Sequence, residues 1–285
     1  MAAEGKSRLG GIAARVALGS VLPLILLLCW HLASRCTTVI PSIGTVADVL
    51  AHPFREPPNL DCKPLFDTVL ISIVRVLAGF LLAVLTAVPL GMSVGVSRLA
   101  DRLLTPFVEA MRPICPIAWL PVTIVAFGLT SVGSLIWGED AWRHGIASQL
   151  QLAMIFIIWW GAFFPLFVNT AAGVKGVRRL YIDAARALGA SPRQIFFKVV
   201  FPASLPSIMT GLRVALGLAW MVIVAAEFFP GTSAGLGYMI TTAHQTARYE
   251  YAFAAIIVIG VIGFTMNAVL AALAARLTHW EARER

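Results

Sequence analysis

The sequence has little charge for its length. Only 13% of its 285 residues are charged, whereas a soluble domain carries about 25%. Hydrophobic residues make up 59% of the chain, and the mean hydropathy is +0.85. Because so few polar residues cannot cover the surface of a water-soluble fold, the composition excludes a soluble globular protein. It indicates instead that most of the chain lies in lipid.

Cysteine and histidine are scarce, and their spacing excludes the common metal sites. The 4 cysteines form no C-x-x-C pair and the 5 histidines form no H-x-x-x-H pair, so neither a metal centre nor a disulfide framework is indicated. The sequence also lacks the G-x-x-x-x-G-K-[ST] phosphate loop, and it suggests no Ser-His-Asp or paired-carboxylate set. We therefore expect no enzymatic activity, cofactor or metal in this chain.

Long apolar runs separate the basic residues. A net charge of +8 is also found in nucleic-acid-binding proteins, but basic residues between apolar runs are typical of the cytoplasmic loops of membrane proteins. A membrane-spanning helix needs about 20 mainly apolar residues. Six runs meet or nearly meet this length, and they predict an all-α transmembrane protein: 16–33, 69–96, 114–137, 150–172, 205–229 and 251–275.

The first run has an alternative interpretation as a signal peptide, since Lys6, Arg8 and Arg15 precede it. It is long for the apolar part of a signal peptide, and Trp30 and His31 occupy the place where a cleavage site needs small residues. A retained first helix is therefore favoured.

The basic residues predict the orientation, because they are enriched in cytoplasmic loops. If the N-terminus is cytoplasmic, most of them fall in inner segments and few in outer segments. The outer ones are Arg35, Arg55, Lys63, Arg143 and Arg248. We predict a multi-pass protein of the bacterial inner membrane with both termini in the cytoplasm.

Small residues recur every fourth position in the second run. Such a stripe lets helix backbones approach closely in lipid, and a shorter one, with Gly211, Ala215 and Ala219, is present in the fifth run. The stripe of the second run predicts a helix-packing surface and consists of Gly79, Ala83, Ala87, Gly91 and Gly95.

The segment 174–206 is too polar to span a membrane, yet its pattern is that of two short helices. The first, 177–188, ends at Gly189, a residue that readily adopts the left-handed conformation of a C-terminal cap. Ser191 then begins a capping box with Gln194, and Pro192 takes the first helical position. The second helix, 192–201, is expected to stop at Pro202.

The same segment resembles the EAA loop of the permeases of binding-protein-dependent ABC importers. The family pattern is Glu-Ala-Ala, three residues, Gly, nine residues, Ile, one residue and Leu-Pro. This sequence has Asp183-Ala184-Ala185, Gly189 and Val199-Val200-Phe201-Pro202 at the same spacing. Its three departures from the family residues, at positions 183, 199 and 201, preserve charge or apolar character.

The resemblance extends over residues 67–273, and within the family it is to the branch that serves nitrate, bicarbonate, taurine and aliphatic sulfonates. The stretches that carry it are 112–121, 211–220, 223–227 and 235–238. The outer segment 138–149 looks longer than the usual connection in that branch.

This resemblance implies a six-helix permease bundle of the type I importer fold with a cytoplasmic coupling helix. Residues 1–66 form the N-terminal tail, first helix and periplasmic connector, and residues 67–285 form the transmembrane domain. The resemblance also implies docking of a separate ATPase subunit, which binds ATP and Mg, at Asp183, Ala184, Ala185, Gly189, Ser191 and Pro202. An ordinary amphipathic helix at the membrane surface is the alternative for this segment.

The other implied partners are a second permease copy, as a homodimer, and a periplasmic or lipid-anchored solute-binding protein. Membrane lipid surrounds the bundle. We expect no nucleic acid.

Charged residues within apolar runs are candidates for the substrate pathway, because burying charge in a membrane is costly. Arg213 is expected either to attract an anion or to bind carbonyls at a helix break. Glu227 is expected to support a gate or a docking surface more than to contact substrate. Arg75 is expected to reach the outer interface by extending its side chain. Trp119 and Trp220 are the aromatic candidates, for which packing is the alternative.

An ion-gradient transporter is the competing functional class. Such transporters usually contain internal repeats and intramembrane carboxylates for coupling ions, whereas we find no repeat here and one candidate acid, Glu227. A membrane scaffold would have no use for a coupling segment. The sequence therefore favours a permease that imports a small anion with ATP hydrolysed on a partner.

Overall fold

The computed structural model describes residues 21–22, 24–37, 39–128, 130–138, 147–229, 232 and 234–278. Predictions that concern Lys6, Arg8, Arg15, Arg143 and most of the outer segment 138–149 lie outside these residues. Within them the chain is almost entirely helical, and its only β-pairing is an isolated bridge between Ser131 and Gln151. The all-α prediction is confirmed.

Twelve α-helices are described, and a single π turn and short 3₁₀ turns lie between some of them. The helices are α1 Leu24–Cys36, α2 Ile43–Ala51, α3 Leu65–Val96, α4 Arg98–Met111, α5 Leu120–Phe127, α6 Val132–Trp137, α7 Leu152–Lys175, α8 Arg179–Ala187, α9 Pro192–Ile195, α10 Phe201–Ala226, α11 Leu236–Gln245 and α12 Tyr249–Leu277.

Four helical runs of the described chain are long and apolar enough to cross a membrane. They are α3, α7, the run Pro192–Ala226 that contains α10, and α12. A fifth span is reached if α4 and the helical segment Pro116–Phe127 count together, although they meet at 87°. The predicted count of six is not confirmed, because α1 is short and part of the first run lies outside the described residues.

The prediction of one continuous helix over 114–137 is wrong. A 3₁₀ turn, Pro116–Trp119, precedes α5, and α5 ends at Gly128, which has a φ of +60°. Proline at 116 removes a backbone donor and fixes the start of this segment, and a left-handed glycine ends it. The composition therefore identified the apolar run 114–137 but not the places where its helix is interrupted.

The core is built around α7, which packs against α3 on one side and α10 on the other. A Cβ atom added at Gly79 would lie 2.6 Å from the side chain of Ile158, and one at Gly91 would lie 2.8 Å from the carbonyl oxygen of Phe167. On the opposite side, a Cβ at Gly211 would lie 2.8 Å from Asn169. These contacts confirm both small-residue stripes as packing surfaces, where backbones meet too closely for larger side chains.

The predicted helix stop at Pro202 is wrong. The chain is helical without interruption from Pro192 to Ala226, a run of 35 residues. A π turn, Phe196–Val200, precedes the proline, and the N–H of Phe201 donates to the carbonyl of Phe196, five residues back. This turn shifts the hydrogen-bond ladder by one residue, so the helix continues past a proline that lacks a donor.

Candidate functional site

The bend between α8 and α9 (residues 179–195, the capped bend) has the backbone geometry that the sequence predicts. Gly189 has a φ of +77°. Its N–H donates to the carbonyl of Arg186 at 2.9 Å, and the N–H of Ala190 donates to the carbonyl of Ala185 at 3.0 Å. These two bonds form a Schellman cap, which closes α8 with a left-handed residue. The prediction for Gly189 is confirmed.

The start of α9 is also confirmed. The N–H of Gln194 donates to Ser191 Oγ at 3.4 Å, and the N–H of Ser191 donates to Gln194 Oε1 at 2.8 Å. Pro192 lies at the beginning of the helix. This capping box satisfies backbone donors that a helix start leaves free, so the orientation of α9 relative to α8 is fixed on both sides of Gly189.

A small apolar cluster joins the capped bend to the bundle. Ile195 and Val200 are buried against Met92 of α3 and Val174 of α7. Ile182 and Ala185 of α8 pack against the same cluster. A cavity of about 280 Å³ lies beside it, lined in part by Gly95 and Arg186. The helix α8 therefore packs against α9 and the π turn, and it meets α3 and α7 through this shared apolar cluster.

The other side of α8 is exposed. Asp183 and Ala184 face outward, and Asp183 forms an exposed ion pair with Arg186 at 3.4 Å. Leu180 and Leu188 are 70% and 88% exposed. Exposed apolar side chains of this size, next to charged ones, are typical of a surface that binds another protein. Of the predicted docking residues, Ala185 is half-buried, and Pro202 lies within α10 beyond the bend.

Arg213 and Trp220 lie at the contact between α10 and α12. Arg213 Nε donates to Asn267 Oδ1 at 3.4 Å, and Trp220 Nε1 donates to the carbonyl of Ile259 at 3.1 Å. The Trp220 ring packs against Gly263, where a Cβ would lie 3.1 Å from the indole. These contacts tie two helices together, and a pathway role for Arg213 and Trp220 stays a prediction.

Trp119 belongs to an aromatic cluster between α7 and the interrupted apolar run 114–137. Its ring centroid lies 4.9 Å from that of Trp160 and 6.4 Å from that of Phe156. Next to this cluster is a largely apolar cavity of about 490 Å³, whose one charged lining residue is Arg112. Sequence reasoning did not single out Arg112 as a pathway residue, because the bend that brings it to the cavity was not predicted.

Glu227 is fully buried and pairs with Arg75. Arg75 Nη1 lies 2.8 Å from Glu227 Oε1, and both side chains are 0% exposed. The prediction that Arg75 extends to the outer interface is wrong, because a carboxylate inside the protein compensates the buried guanidinium. The sequence marked both residues as costly charges, but they are 152 positions apart and nothing local links them. Arg213, the other charged candidate in α10, donates instead to Asn267.

The comparisons with known proteins agree with this fold. Residues 68–279 match the family model described as "Binding-protein-dependent transport system inner membrane component". The chain is 17% identical to the MetNI methionine ABC transporter, solved in inward-facing conformations, with a TM-score of 0.57 and coverage of 75% of this chain and 96% of that one. At that identity the match shows a shared fold.

Curated relatives are more similar in sequence. A putative ABC transporter permease protein of Methanocaldococcus jannaschii is 43% identical over 249 residues, which is 86% of this chain and 85% of the relative. The bicarbonate transport system permease protein CmpB of Synechocystis sp. is 33% identical over 267 residues, 90% and 88% of the two chains. The nitrate import permease protein NrtB of Leptolyngbya laminosa is 34% identical over 230 residues, 81% and 75% of the two chains.

Proteins of this kind are named as transport subunits and not as enzymes. The relatives and the family match agree over most of the chain. The protein therefore belongs to the inner-membrane permease family of binding-protein-dependent ABC transporters.

Proposed function

We propose that this chain forms the membrane path of an ATP-driven importer for a small anion of the nitrate, bicarbonate, taurine or sulfonate type. The observation that carries the proposal is the capped bend, which presents exposed apolar residues from a rigid backbone at one end of the bundle. A permease that has no phosphate loop needs such a surface to receive movement from an ATPase.

The capped bend is suited to transmit force. Caps on both sides of Gly189 fix the angle between α8 and α9, and the apolar cluster around Ile195 holds them against α3 and α7. A partner bound to Leu180, Tyr181 and Leu188 would therefore move the bundle and not only a loop. The exposed apolar residues supply contact area, and Asp183 and Arg186 supply charges for pairing.

The remaining partners follow from this arrangement. A separate ATPase subunit binds ATP and Mg, and the end of the bundle that carries α8 faces the cytoplasm, as do both termini. A solute-binding protein delivers the anion at the opposite end. The most apolar stretch of α12 is not buried within the described chain, so it is free to contact lipid or the second copy of a homodimer.

Two observations support an anionic solute. The relatives include permeases named for bicarbonate and nitrate. The charged residues that line two cavities beside α10 are also cationic, namely Arg112 at the larger cavity, between the turn 114–117, α7 and α10, and Arg213 at a small one between α10 and α12. A cationic group in an otherwise apolar path attracts an anion without holding it too tightly to leave.

The test is reconstitution of this chain with its ATPase and binding protein in proteoliposomes. Uptake of the anion should require ATP on the side of the membrane where the ATPase subunit lies. It should persist when ionophores collapse the ion gradients. Uptake that follows an ion gradient and ignores ATP would instead establish the secondary transporter. Gly189→Val, at a φ of +77° that a β-branched residue disfavours, should abolish coupled uptake, whereas Gly44→Val, at an exposed glycine of α2 without a positive φ, should leave uptake intact.

A further inference from the structure

The carboxylate of Glu227 is bound by groups from two other helices. Ser72 Oγ of α3 lies 2.9 Å from both carboxylate oxygens, and Arg75 Nη1 of the same helix donates to Oε1 at 2.8 Å. The N–H of Gly237, in the first turn of α11, donates to Oε2 at 3.0 Å. Glu227 itself caps the end of α10. We name Ser72, Arg75 and Glu227 the polar clamp.

The clamp reaches backbone groups as well as side chains. Arg75 Nε donates to the carbonyl of Gln149, just before α7, and Nη1 donates to the carbonyl of Ala234, at 2.9 and 2.8 Å. Ser72 Oγ accepts from the N–H of Leu236 at 3.0 Å. The polar clamp therefore joins α3, the segment before α7, the end of α10 and the start of α11. A simple ion pair would join α3 and α10 alone.

The turn between α10 and α11 is fitted to the carboxylate. Gly235 has a φ of +127°, and a Cβ atom there would overlap the Glu227 carboxyl group. A Cβ atom at Gly237 would overlap the carbonyl oxygen of Val224. Both glycines let the backbone lie close to Glu227, so the N–H of Gly237 reaches its carboxylate.

One helix connects the polar clamp to the capped bend. The uninterrupted run Pro192–Ala226 has 35 residues, which corresponds to a length of about 52 Å at 1.5 Å per residue. Its first turn is capped by Ser191, and the residue after its last turn is Glu227. A displacement of α8 at one end is therefore carried along a single rod to the clamp at the other end.

We propose that Arg75 and Glu227 are positioning residues that make α3 and α11 follow α10, so that movement of the capped bend opens or closes the far end of the path. The proposal rests on the proposed function. A contribution to stability alone is the competing explanation, and apolar residues serve that purpose equally well, since replacing a buried ion pair by apolar residues is often neutral. Apolar residues would not bind the backbone at Gln149, Ala234 and Gly237.

The decisive variant is the double substitution Arg75→Met with Glu227→Leu, which keeps the volume and removes the polar bonds. We expect it to assemble with the ATPase and to hydrolyse ATP. Stimulation of hydrolysis by the solute-loaded binding protein should be lost, and anion uptake per ATP should fall about tenfold, within the range of typical coupling between sites. Ser72→Ala, which retains the ion pair, should give a smaller loss of the same kind.

The matched control is Asp101→Asn, which breaks the exposed ion pair of Asp101 with Lys175 at 2.7 Å and should leave coupling unchanged. Wild-type coupling in the double variant would overturn the proposal, because space filling would then suffice. Failure of both clamp variants to assemble would also overturn it, since the residues would then act in folding. If the wild-type complex itself shows no anion-stimulated hydrolysis, it is the proposed function that fails.

Discussion

An acid is paired with an arginine near each end of the long helix Pro192–Ala226, namely Asp183 with Arg186 in α8 and Glu227 with Arg75 of α3, and the pairs differ in almost every other respect. Asp183 and Arg186 are 65% and 68% exposed and 3.4 Å apart, whereas Glu227 and Arg75 are fully buried and 2.8 Å apart. Water screens the first pair, so it contributes little to stability. The second pair cannot lose one member without leaving a charge in an apolar interior.

The difference in exposure between the two ion pairs indicates different roles for the regions at the two ends of the helix Pro192–Ala226. The capped bend leaves its ion pair and its apolar side chains exposed, as the proposed docking of an ATPase requires. The polar clamp pairs its two charges with each other inside the chain, where both side chains are buried, and Arg75 Nη2 alone has no hydrogen-bond partner among the described residues. The proposed docking surface on α8 and the polar clamp therefore lie near opposite ends of the helix Pro192–Ala226, and each of the following changes tests whether that contrast holds.

Removing the acid of the polar clamp and the acid of the capped bend, one at a time, should give the largest difference in the free energy of unfolding. We expect Glu227→Ala to lower the free energy of unfolding by about 3–5 kcal/mol, because Arg75 is left buried without its partner. Asp183→Ala should change it by less than about 1 kcal/mol. Thermal unfolding of the detergent-solubilised chain measures both. Equal effects of the two substitutions would remove the basis of the comparison.

Alanine at the two left-handed glycines should sharpen the contrast. Gly189→Ala meets backbone strain of about 1–2 kcal/mol, but no described atom lies within 4 Å of its new Cβ. Gly235→Ala has unfavourable φ and also overlaps the Glu227 carboxyl group, so its cost should exceed that of Gly189→Ala by at least about 1 kcal/mol. The difference in melting temperature between the two variants is the measurement. A smaller loss of melting temperature for Gly235→Ala than for Gly189→Ala would show that the backbone at Gly235 can move away from the Glu227 carboxyl group.

The capped bend was predictable because its information is local. The Schellman cap at Gly189 and the capping box of Ser191 and Gln194 depend on residues within about one turn of each other, and their types specify the geometry. The small-residue stripes were predictable for a similar reason, since helical periodicity places Gly79 and Gly91 on one face.

The polar clamp was not predictable from one sequence. Ser72, Arg75 and Glu227 are brought together by the packing of α3 against α10, and no local pattern encodes that contact. Two predictions from local patterns also failed, each at a local interruption of the regular helix. Pro202 did not end a helix because a π turn shifted the ladder before it, and the apolar run 114–137 did not form one helix because Pro116 and Gly128 interrupt it.

A charge on the exposed surface of α8 should affect binding and not folding. Leu188 is 88% exposed, so Leu188→Asp should change the free energy of unfolding by no more than about 0.5 kcal/mol. Binding of the ATPase should weaken by about 2 kcal/mol or more if Leu188 lies at the centre of the contact. Pull-down of the ATPase measures this. Phe54→Asp, at a residue 70% exposed before α3, is the control and should bind the ATPase normally.

The smallest expected effect is a change in the rate at which a maleimide labels Cys62, and it tests which end of the bundle faces the outside of the cell. Cys62 lies in the connection before α3, next to Asp61, whose carbonyl accepts a hydrogen bond from Tyr238 of α11 at 3.1 Å. Burial, and to a lesser degree the negative charge of Asp61, raises the pKa of the Cys62 thiol to about 11 from an ordinary 9.0. Only the thiolate reacts with a maleimide, so at neutral pH a raised pKa lowers its reactive fraction, and labelling should accelerate as the pH rises towards 11.

In a variant whose sole cysteine is Cys62, an impermeant maleimide added outside intact cells should label the chain slowly, and faster at pH 9 than at pH 7. Asp61→Asn lowers the pKa of the Cys62 thiol by removing the nearby negative charge, so it should increase the labelling rate at either pH. A cysteine placed at Arg179 in the capped bend should stay unlabelled until the cells are opened. Labelling at Arg179 but not at Cys62 in intact cells would reverse the orientation and place the capped bend on the side where no ATP is available.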